Sequence, residues 1–231
     1  MDDNKFFKFV WRINAMALAL ILILGMAMLA WQLLLSDVFK RQHAIDTVNI
    51  DQADNTIVET LEISVVERVT GHDLFRVSLE SEQQYRHQRA SKETRQTDVN
   101  TGFYDPTTGE IIWLFPTSKQ LITSVDALYQ NPEKQDHDDS AVVLMYLVTF
   151  VDQDSSNDQR LSNSDEKSVL AVEPNGKNGN IILSGLKSDP IVWPSSTDQY
   201  TIFFTTQDGQ QSVTYDPKAM TLGVIRTIAV P

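Results

Sequence analysis

The amino-acid sequence predicts a mainly β protein with one N-terminal transmembrane helix. An uncharged apolar run occupies residues 15–35, and short β-type segments separated by turn signals fill residues 57–231. Strands that follow one another through short turns pair as antiparallel hairpins. We therefore expect an antiparallel, hairpin-built domain after the helix, arranged either like a propeller or as a sandwich.

The composition of the chain excludes several classes of function. Its 31 acidic residues outnumber its 19 basic ones, which gives a formal net charge of −12. Nucleic-acid binding needs a basic face that neutralises phosphates, so we expect no nucleic-acid partner. The chain has no cysteine, and this excludes disulfides, thiolate metal sites and cysteine nucleophiles.

Residues 15–35 have the length and composition of a membrane span. They include no charged residue, and Gln32 is their one polar side chain. A helix rises about 1.5 Å per residue, so this run covers roughly 30 Å, the thickness of the hydrocarbon layer. Trp11 and Trp31 lie near its two ends, as aromatic residues do at membrane interfaces.

A cleaved signal peptide is the alternative to a retained anchor. Gly25-Met26-Ala27 has the small-x-small form of a cleavage site, but apolar residues continue to Leu35 and favour retention. Basic residues lie on both sides of the run, so the charge bias that sets orientation is slight. Because the short head is easily kept inside, we expect the N-terminus in the cytoplasm.

These observations predict four regions. Residues 1–14 form a cytoplasmic head, 15–35 the transmembrane helix, 36–56 a juxtamembrane helix and linker, and 57–231 the β-rich extracytoplasmic domain. The predicted location is the bacterial inner membrane, crossed once, with the C-terminal domain in the periplasm.

The first half of the domain consists of successive hairpin signals. Apolar and polar residues alternate on both sides of Thr70-Gly71, which predicts strand, turn and strand. Residues 81–99 are polar and form either an exposed hairpin or a loop. Proline presets φ and glycine accepts a positive φ, so the sequence from Asp105 to Gly109 predicts a further hairpin turn. Residues 121–130 form either a short helix or a strand.

The second half includes the most apolar stretch after the predicted span. Residues 141–151 are rich in β-branched and aromatic side chains, which predicts a central strand buried on both faces. A polar loop precedes it at residues 131–140. The sequence Gln207-Asp208-Gly209-Gln210 between two apolar runs predicts another hairpin, and residues 216–230 predict the last one.

An acid-proline pair recurs after three of the predicted strands. The pairs are Asp105-Pro106, Glu173-Pro174 and Asp216-Pro217, and the last two are 43 residues apart. That distance is close to the length of one propeller blade. Residues 191–204 also resemble a repeat of bacterial propellers in which a W-S-P-D-G turn precedes a strand. Trp193, Pro194 and Phe203 match the repeat, but the turn glycine is missing.

Residues 154–165 resemble the calcium-binding loop of EF-hand and dockerin-type proteins. Such loops supply oxygen ligands from positions 1, 3, 5, 9 and 12 and from the backbone carbonyl of position 7. The corresponding residues here are Asp154, Ser156, Asp158, Arg160, Ser162 and Asp165. The resemblance implies a structural calcium ion. The loop departs from the pattern because Gln159 replaces the turn glycine and Asp165 has a shorter side chain than the usual glutamate. A polar loop with a vestigial motif is the alternative.

Catalytic templates are absent from the sequence. The four histidines, His43, His72, His87 and His137, are scattered, and there is no Gly-x-Ser-x-Gly or glycine-rich phosphate motif. We expect a non-enzymatic, membrane-anchored accessory or assembly subunit without a cofactor, whose β domain binds another membrane-protein subunit. The alternatives are a periplasmic hydrolase with dispersed site residues and a calcium-stabilised binding module.

Overall fold

The chain forms two units, residues 1–44 and residues 45–231. The computed structural model of the protein describes residues 48–49, 57–85, 94–131, 141–196 and 199–229 of the second unit. In the first unit it describes nine positions, all of them helical: Phe9, Trp11, Ala15, Met16, Leu18, Leu24, Gly25, Met26 and Met28.

The structure contradicts the predicted transmembrane helix. A membrane-spanning helix needs about 20 consecutive apolar residues. Within the described part of the chain, no helix has the length and apolar character needed to cross a membrane. The prediction of a transmembrane helix in the fold class is therefore wrong. The predicted single-pass location in the bacterial inner membrane is wrong for the same reason. The other positions of 15–35, and all of 36–56 except Val48 and Asn49, lie outside the described residues.

The mainly β character of the second unit is confirmed. Its strands, in chain order, are β1 (Val48–Asn49), β2 (Ile57–Arg68), β3 (Phe75–Tyr85), β4 (Thr94–Asp105), β5 (Glu110–Trp113), β6 (Leu121–Tyr129), β7 (Val143–Val151), β8 (Arg160–Leu161), β9 (Lys167–Val172), β10 (Asn180–Leu186), β11 (Ile191–Pro194), β12 (Tyr200–Thr206), β13 (Gly209–Asp216), β14 (Thr221–Leu222) and β15 (Arg226–Thr227).

Three antiparallel sheets follow one another along the chain. The first sheet has the order β2-β3-β4-β5, the middle sheet β6-β7-β9-β10, and the last sheet β11-β12-β13-β14, with β15 also paired to β13. The four strands of each sheet form a meander, in which strands pair in sequence order except that the middle sheet passes over the short β8; β15 pairs with β13 and not with β14. Strand β8 pairs with β1 instead, which lies within the predicted linker.

The acid-proline pairs occupy the same place in all three meanders. Asp105-Pro106, Glu173-Pro174 and Asp216-Pro217 each follow the third strand of a sheet and begin the turn to the fourth. The backbone carbonyls of Asp105 and Glu173 accept bonds from Gly109 N (2.8 Å) and Gly176 N (2.9 Å). The predicted hairpins at Asp105 to Gly109 and at Gln207 to Gln210 are thus confirmed. The resemblance to propeller repeats stays a prediction.

The middle sheet is covered on both faces. Strand β7 alternates between the two sides, and eight of its nine residues are buried, all but Leu144. Met145 and Leu147 pack against Ile202 and Val213 of the last sheet. Tyr146, Val148 and Phe150 belong to the cluster shared with the first sheet. The prediction of a central strand at 141–151, buried on both faces, is confirmed.

Two contacts show how closely the first sheet packs on the middle one. The Phe103 and Tyr146 rings lie 5.3 Å apart, and those of Phe115 and Phe150 lie 4.8 Å apart. Gly176, in the turn after β9, has a positive φ of 76°, and a Cβ there would lie 3.0 Å from Phe103 Cδ2. Glycine is therefore required both by the backbone conformation and by the approach of the first sheet.

The remaining local predictions had open alternatives. Residues 121–129 are strand β6 and not a helix, because β6 completes the middle sheet beside β7. In residues 81–99 the described parts form the hairpin of β3 and β4, which pair from Phe75–Tyr104 to Gln84–Thr94. The middle of that predicted hairpin, 86–93, and residues 132–140 of the predicted polar loop lie outside the described residues.

Candidate functional site

The predicted calcium loop connects β7 to β9 and contains β8. Its last residue, Asp165, is fully buried. One carboxylate oxygen of Asp165 accepts bonds from Ser156 N (2.9 Å) and Ser155 Oγ (3.2 Å). The other accepts bonds from Ser162 N (2.8 Å) and Ser162 Oγ (3.1 Å). Burial alone would raise the pKa of Asp165, but these hydrogen bonds outweigh it and hold the pKa below its ordinary value.

Asp154 organises the exposed half of the same loop. Its carboxylate accepts bonds from Gln159 N (2.7 Å), Asp158 N (3.2 Å) and Ser156 Oγ (3.1 Å). Asp158 in turn accepts a bond from Arg160 N at 3.0 Å. Gln159 has a positive φ of 66°, the conformation that glycine adopts at this position of a calcium loop. The chain therefore makes the sharp turn with a residue that disfavours it.

The predicted calcium ligands form hydrogen bonds within the loop. Asp165 and Ser162 bond to each other, Asp154 bonds to Ser156, and Asp158 bonds to the backbone of Arg160. In the part of the chain that the structure describes, no group of three His, Asp or Glu side chains is placed to hold a metal ion. Calcium binding by this loop stays a prediction, and the geometry shows a loop held by its own hydrogen bonds.

A cleft that the sequence did not indicate lies where the first strands of the three sheets meet. Its volume is about 370 Å³. Residues of β2 and β3, of β6 and β7, and of β11 and β12 line it, among them Glu67, Arg76, Asp126, Tyr146, Val192 and Tyr200. These residues are far apart in the sequence, so no local motif can reveal the cleft.

Two pairs of polar residues in the cleft bond to each other. Arg76 donates to Glu67 at 2.6 Å, and the Tyr200 hydroxyl donates to Tyr129 O (3.0 Å) and accepts from Tyr129 N (2.7 Å). Burial raises the pKa of Tyr200 above its ordinary value. Tyr200 thus ties the last sheet to the middle one.

Asp126 is a carboxyl group of this cleft with a perturbed pKa. Burial raises the pKa of Asp126, the hydrogen bond from Ser124 (3.2 Å) lowers it, and the charge of Asp189 raises it. The net effect is an increase over the ordinary carboxyl value. A carboxyl group with a raised pKa in a cleft is suited to proton transfer.

The outer face of the last sheet carries exposed apolar side chains. Ile202 and Phe204 point toward the middle sheet, so Phe203 between them points away from it. Ile191 pairs with Phe203, and Trp193 follows Ile191 by two residues on the same face. The exposed fractions are 65% for Ile191, 67% for Trp193 and 40% for Phe203. We call these three residues the last-sheet patch.

Exposed apolar side chains also lie along β2, the edge strand of the first sheet. Phe103 points toward the middle sheet, so the adjacent Gly102 marks the opposite face, and a Cβ at Gly102 would lie 2.8 Å from the Trp113 ring. The register continues from Gly102 through Val77 to Val66, so these residues share one side of the sheet. Gly102 and Val77 are buried, whereas Val66, on the edge strand β2, is exposed. Ile63 and Leu61 lie opposite Leu79 and Ser81 on the same side of β3. The exposed fractions are 45% for Leu61, 51% for Ile63 and 60% for Val66, and these three residues form the first-sheet patch.

Compared with protein-family models, with curated proteins and with solved structures, the chain matches none of them.

Proposed function

We propose that this chain is a non-enzymatic binding subunit that docks another protein chain on the exposed apolar side chains of its last sheet and of the edge strand β2. The observation that carries the proposal is the pair of exposed apolar patches on a protein of net charge −12. Contiguous exposed apolar side chains mark interaction surfaces in soluble domains. The acidic charge of the chain supports a protein partner and opposes nucleic acid.

The pairing of polar groups in the cleft supports a binding role over a catalytic one. The Tyr200 hydroxyl is occupied by the Tyr129 backbone, and Arg76 by Glu67. A catalytic group has to direct a free donor, acceptor or nucleophile at its substrate. The patches, by contrast, offer aromatic and aliphatic surface of the kind that dominates binding energies at interfaces.

Site-specific photocross-linking tests this proposal. A photoreactive amino acid at position 193 of the full chain, within the last-sheet patch, is expected to give a discrete protein adduct in the source cells. The same amino acid at position 208, in the exposed turn between β12 and β13, is the control. Absence of a protein adduct from position 193, or equal adducts from both positions, would refute the proposal.

A hydrolase is the second candidate, and Asp126 is the observation that favours it. Its raised pKa in the cleft suits a general acid or base. The purified chain would then cleave a member of a panel of ester, glycoside and peptide substrates. Asp126→Asn would abolish that cleavage and Asp208→Asn would retain it. No cleavage by the unaltered chain across the panel excludes this candidate.

A further inference from the structure

We infer that the edge strand β2 binds an extended basic segment of another protein, which pairs beside residues 60–64 as an additional strand and places a lysine or arginine opposite Glu62. This inference rests on the proposed function and deepens it, because it names the binding mode and the chemistry of the partner. In strand addition, main-chain hydrogen bonds supply affinity and the alternate side chains of the added strand supply specificity.

The first argument is the length and openness of the β2 edge. Among the described strands, β3 is the one neighbour of β2, so every second residue of β2 directs its backbone N–H and C=O groups away from the sheet. Proteins commonly protect such an edge with a short strand, a proline or a lysine. Strand β5, at the other edge of this sheet, has four residues, whereas β2 has twelve and includes neither proline nor lysine.

The second argument is the regularity of the stretch that would be bound. Strands β2 and β3 pair without interruption from Ile57–Tyr85 to Ile63–Leu79, and the shift in register comes after Ile63. The side chains of residues 60–64 are all exposed. Because side chains alternate along a strand, Leu61 and Ile63 point to one side of β2 and Glu62 points to the other.

The third argument is a row of carboxylates that begins at this edge. Glu62 lies opposite Glu80, and Glu80 lies opposite Asp98. Directly opposite residues have Cβ atoms about 4.5–5.5 Å apart, and like charges there repel each other. None of the ion pairs among the described residues includes these three. Asp98 Oδ1 is buried without a hydrogen-bond partner in the described part of the chain.

The pKa of Asp98 agrees with this repulsion. Burial raises the pKa of Asp98, the charge of Glu80 raises it further, and the charge of Arg76 lowers it. The net effect is an increase over the ordinary carboxyl value, so Arg76 does not compensate the negative charge of the row. A cation at the β2 edge would act on the same charge from its open end.

An added strand extends this row by one residue. The residue opposite Glu62 lies on the same side of the sheet as the three carboxylates, so a lysine or arginine there forms a cross-strand ion pair. Its two neighbours lie on the other side, beside Leu61 and Ile63, and are expected to be apolar. Strand β2 has no apolar–basic–apolar triplet of its own, so a second copy does not supply this pattern through β2.

Hydrogen exchange of the full chain with two synthetic peptides tests the inference. The probes are Thr-Val-Lys-Val-Lys-Val-Thr and the same peptide with glutamate in place of both lysines. The lysine peptide is expected to slow amide exchange in β2 and to leave exchange in β5 unchanged, because strand addition occupies the N–H groups of the β2 edge. Calorimetry is expected to give a Kd about tenfold lower for the lysine peptide than for the glutamate peptide.

Two variants separate this contact from a general attraction of basic peptides to an acidic protein. Glu62→Lys is expected to remove the preference for the lysine peptide. Glu110→Lys in β5 makes the same change of charge at an exposed glutamate on the other edge of the sheet, so it is the matched control and is expected to keep the preference. Unchanged exchange in β2, equal binding of the two peptides, or variants that behave alike would overturn the inference.

The same data distinguish this inference from the proposed function. If the lysine peptide does not protect β2 but position 193 still gives a protein adduct, the strand addition is overturned and the proposed function stands. If β2 is not protected and position 193 gives no adduct, both are overturned.

Discussion

Replacing Asp165 is expected to destabilise the second unit strongly, although the sequence suggests that this residue is a metal ligand. The buried carboxylate accepts four hydrogen bonds, two of them from the backbone N–H groups of Ser156 (2.9 Å) and Ser162 (2.8 Å). In Asp165→Asn one acceptor oxygen becomes an NH₂ group that faces a donor. Hydrogen bonds to a charged group contribute about 1.5–3 kcal/mol, and a buried donor left without an acceptor costs about 1–3 kcal/mol.

From these values we expect Asp165→Asn to lower the free energy of unfolding by about 2–4 kcal/mol at pH 7. Urea unfolding of the full chain, followed by far-ultraviolet circular dichroism, measures it. Asp208→Asn in the exposed turn after β12 is the matched control and is expected to stay within about 0.5 kcal/mol of the unaltered chain.

The pH dependence provides a second measurement on the same variant. The pKa of Asp165 is lowered in the folded state, so its stabilisation is complete above the unfolded-state value of about 3.9. It is lost as the pH falls through the lower folded-state value. The difference between the unaltered chain and Asp165→Asn should therefore shrink below about pH 4. A difference below about 0.5 kcal/mol at pH 7, or one unchanged in acid, would refute the role of these hydrogen bonds.

Three further predictions concern the same loop and the tie between sheets. Millimolar calcium is expected to leave the melting temperature of the full chain equal to that in chelator, because the Asp165 oxygens already accept bonds from the chain; a clear increase would show that the loop binds the ion. Gln159→Gly is expected to stabilise the chain by about 0.5–1 kcal/mol in urea unfolding, because it relieves the positive φ, whereas Gln153→Gly in the same loop should destabilise it. Tyr200→Phe removes both hydrogen bonds of the hydroxyl to the Tyr129 backbone and should lower the free energy of unfolding by about 1–3 kcal/mol in urea. Tyr104→Phe, at a half-buried tyrosine of the first sheet, is the control. An equal loss of stability in both variants would show that the two bonds to Tyr129 do not stabilise the contact between the last and middle sheets.

Local signals predicted the hairpins because their cause is local. The turn at Asp105 to Gly109 depends on the φ preferences of proline and glycine, and those preferences act within a few residues. Strand β7 was also predictable, since an unbroken apolar run of strand length has to be buried on both faces. Residues 121–129 remained ambiguous because the outcome depends on pairing with β7, which the segment itself does not specify.

The candidate sites were less predictable. The spacing from Asp154 to Asp165 indicates calcium ligands. Spacing alone, however, does not determine whether these carboxylates bind an ion or accept hydrogen bonds from backbone N–H groups. The cleft joins Glu67, Asp126 and Tyr200, which come from three sheets, so its existence depends on the packing of the whole stack. The predicted span is wrong as well, since an apolar composition indicates a membrane helix but the described residues include no helix long and apolar enough to cross a membrane.

The order of the sheets along the chain has a consequence for synthesis. The middle sheet is complete once residue 186 has been made, yet Met145, Leu147, Val169 and Ala171 pack in one cluster with residues of β12 and β13, which come later. A nascent or truncated polypeptide that ends before residue 200 therefore exposes this apolar face of the middle sheet to solvent. Exposed apolar sheet faces promote aggregation. Strands β12 and β13 therefore protect the apolar face of the middle sheet as soon as they have been made and packed on it.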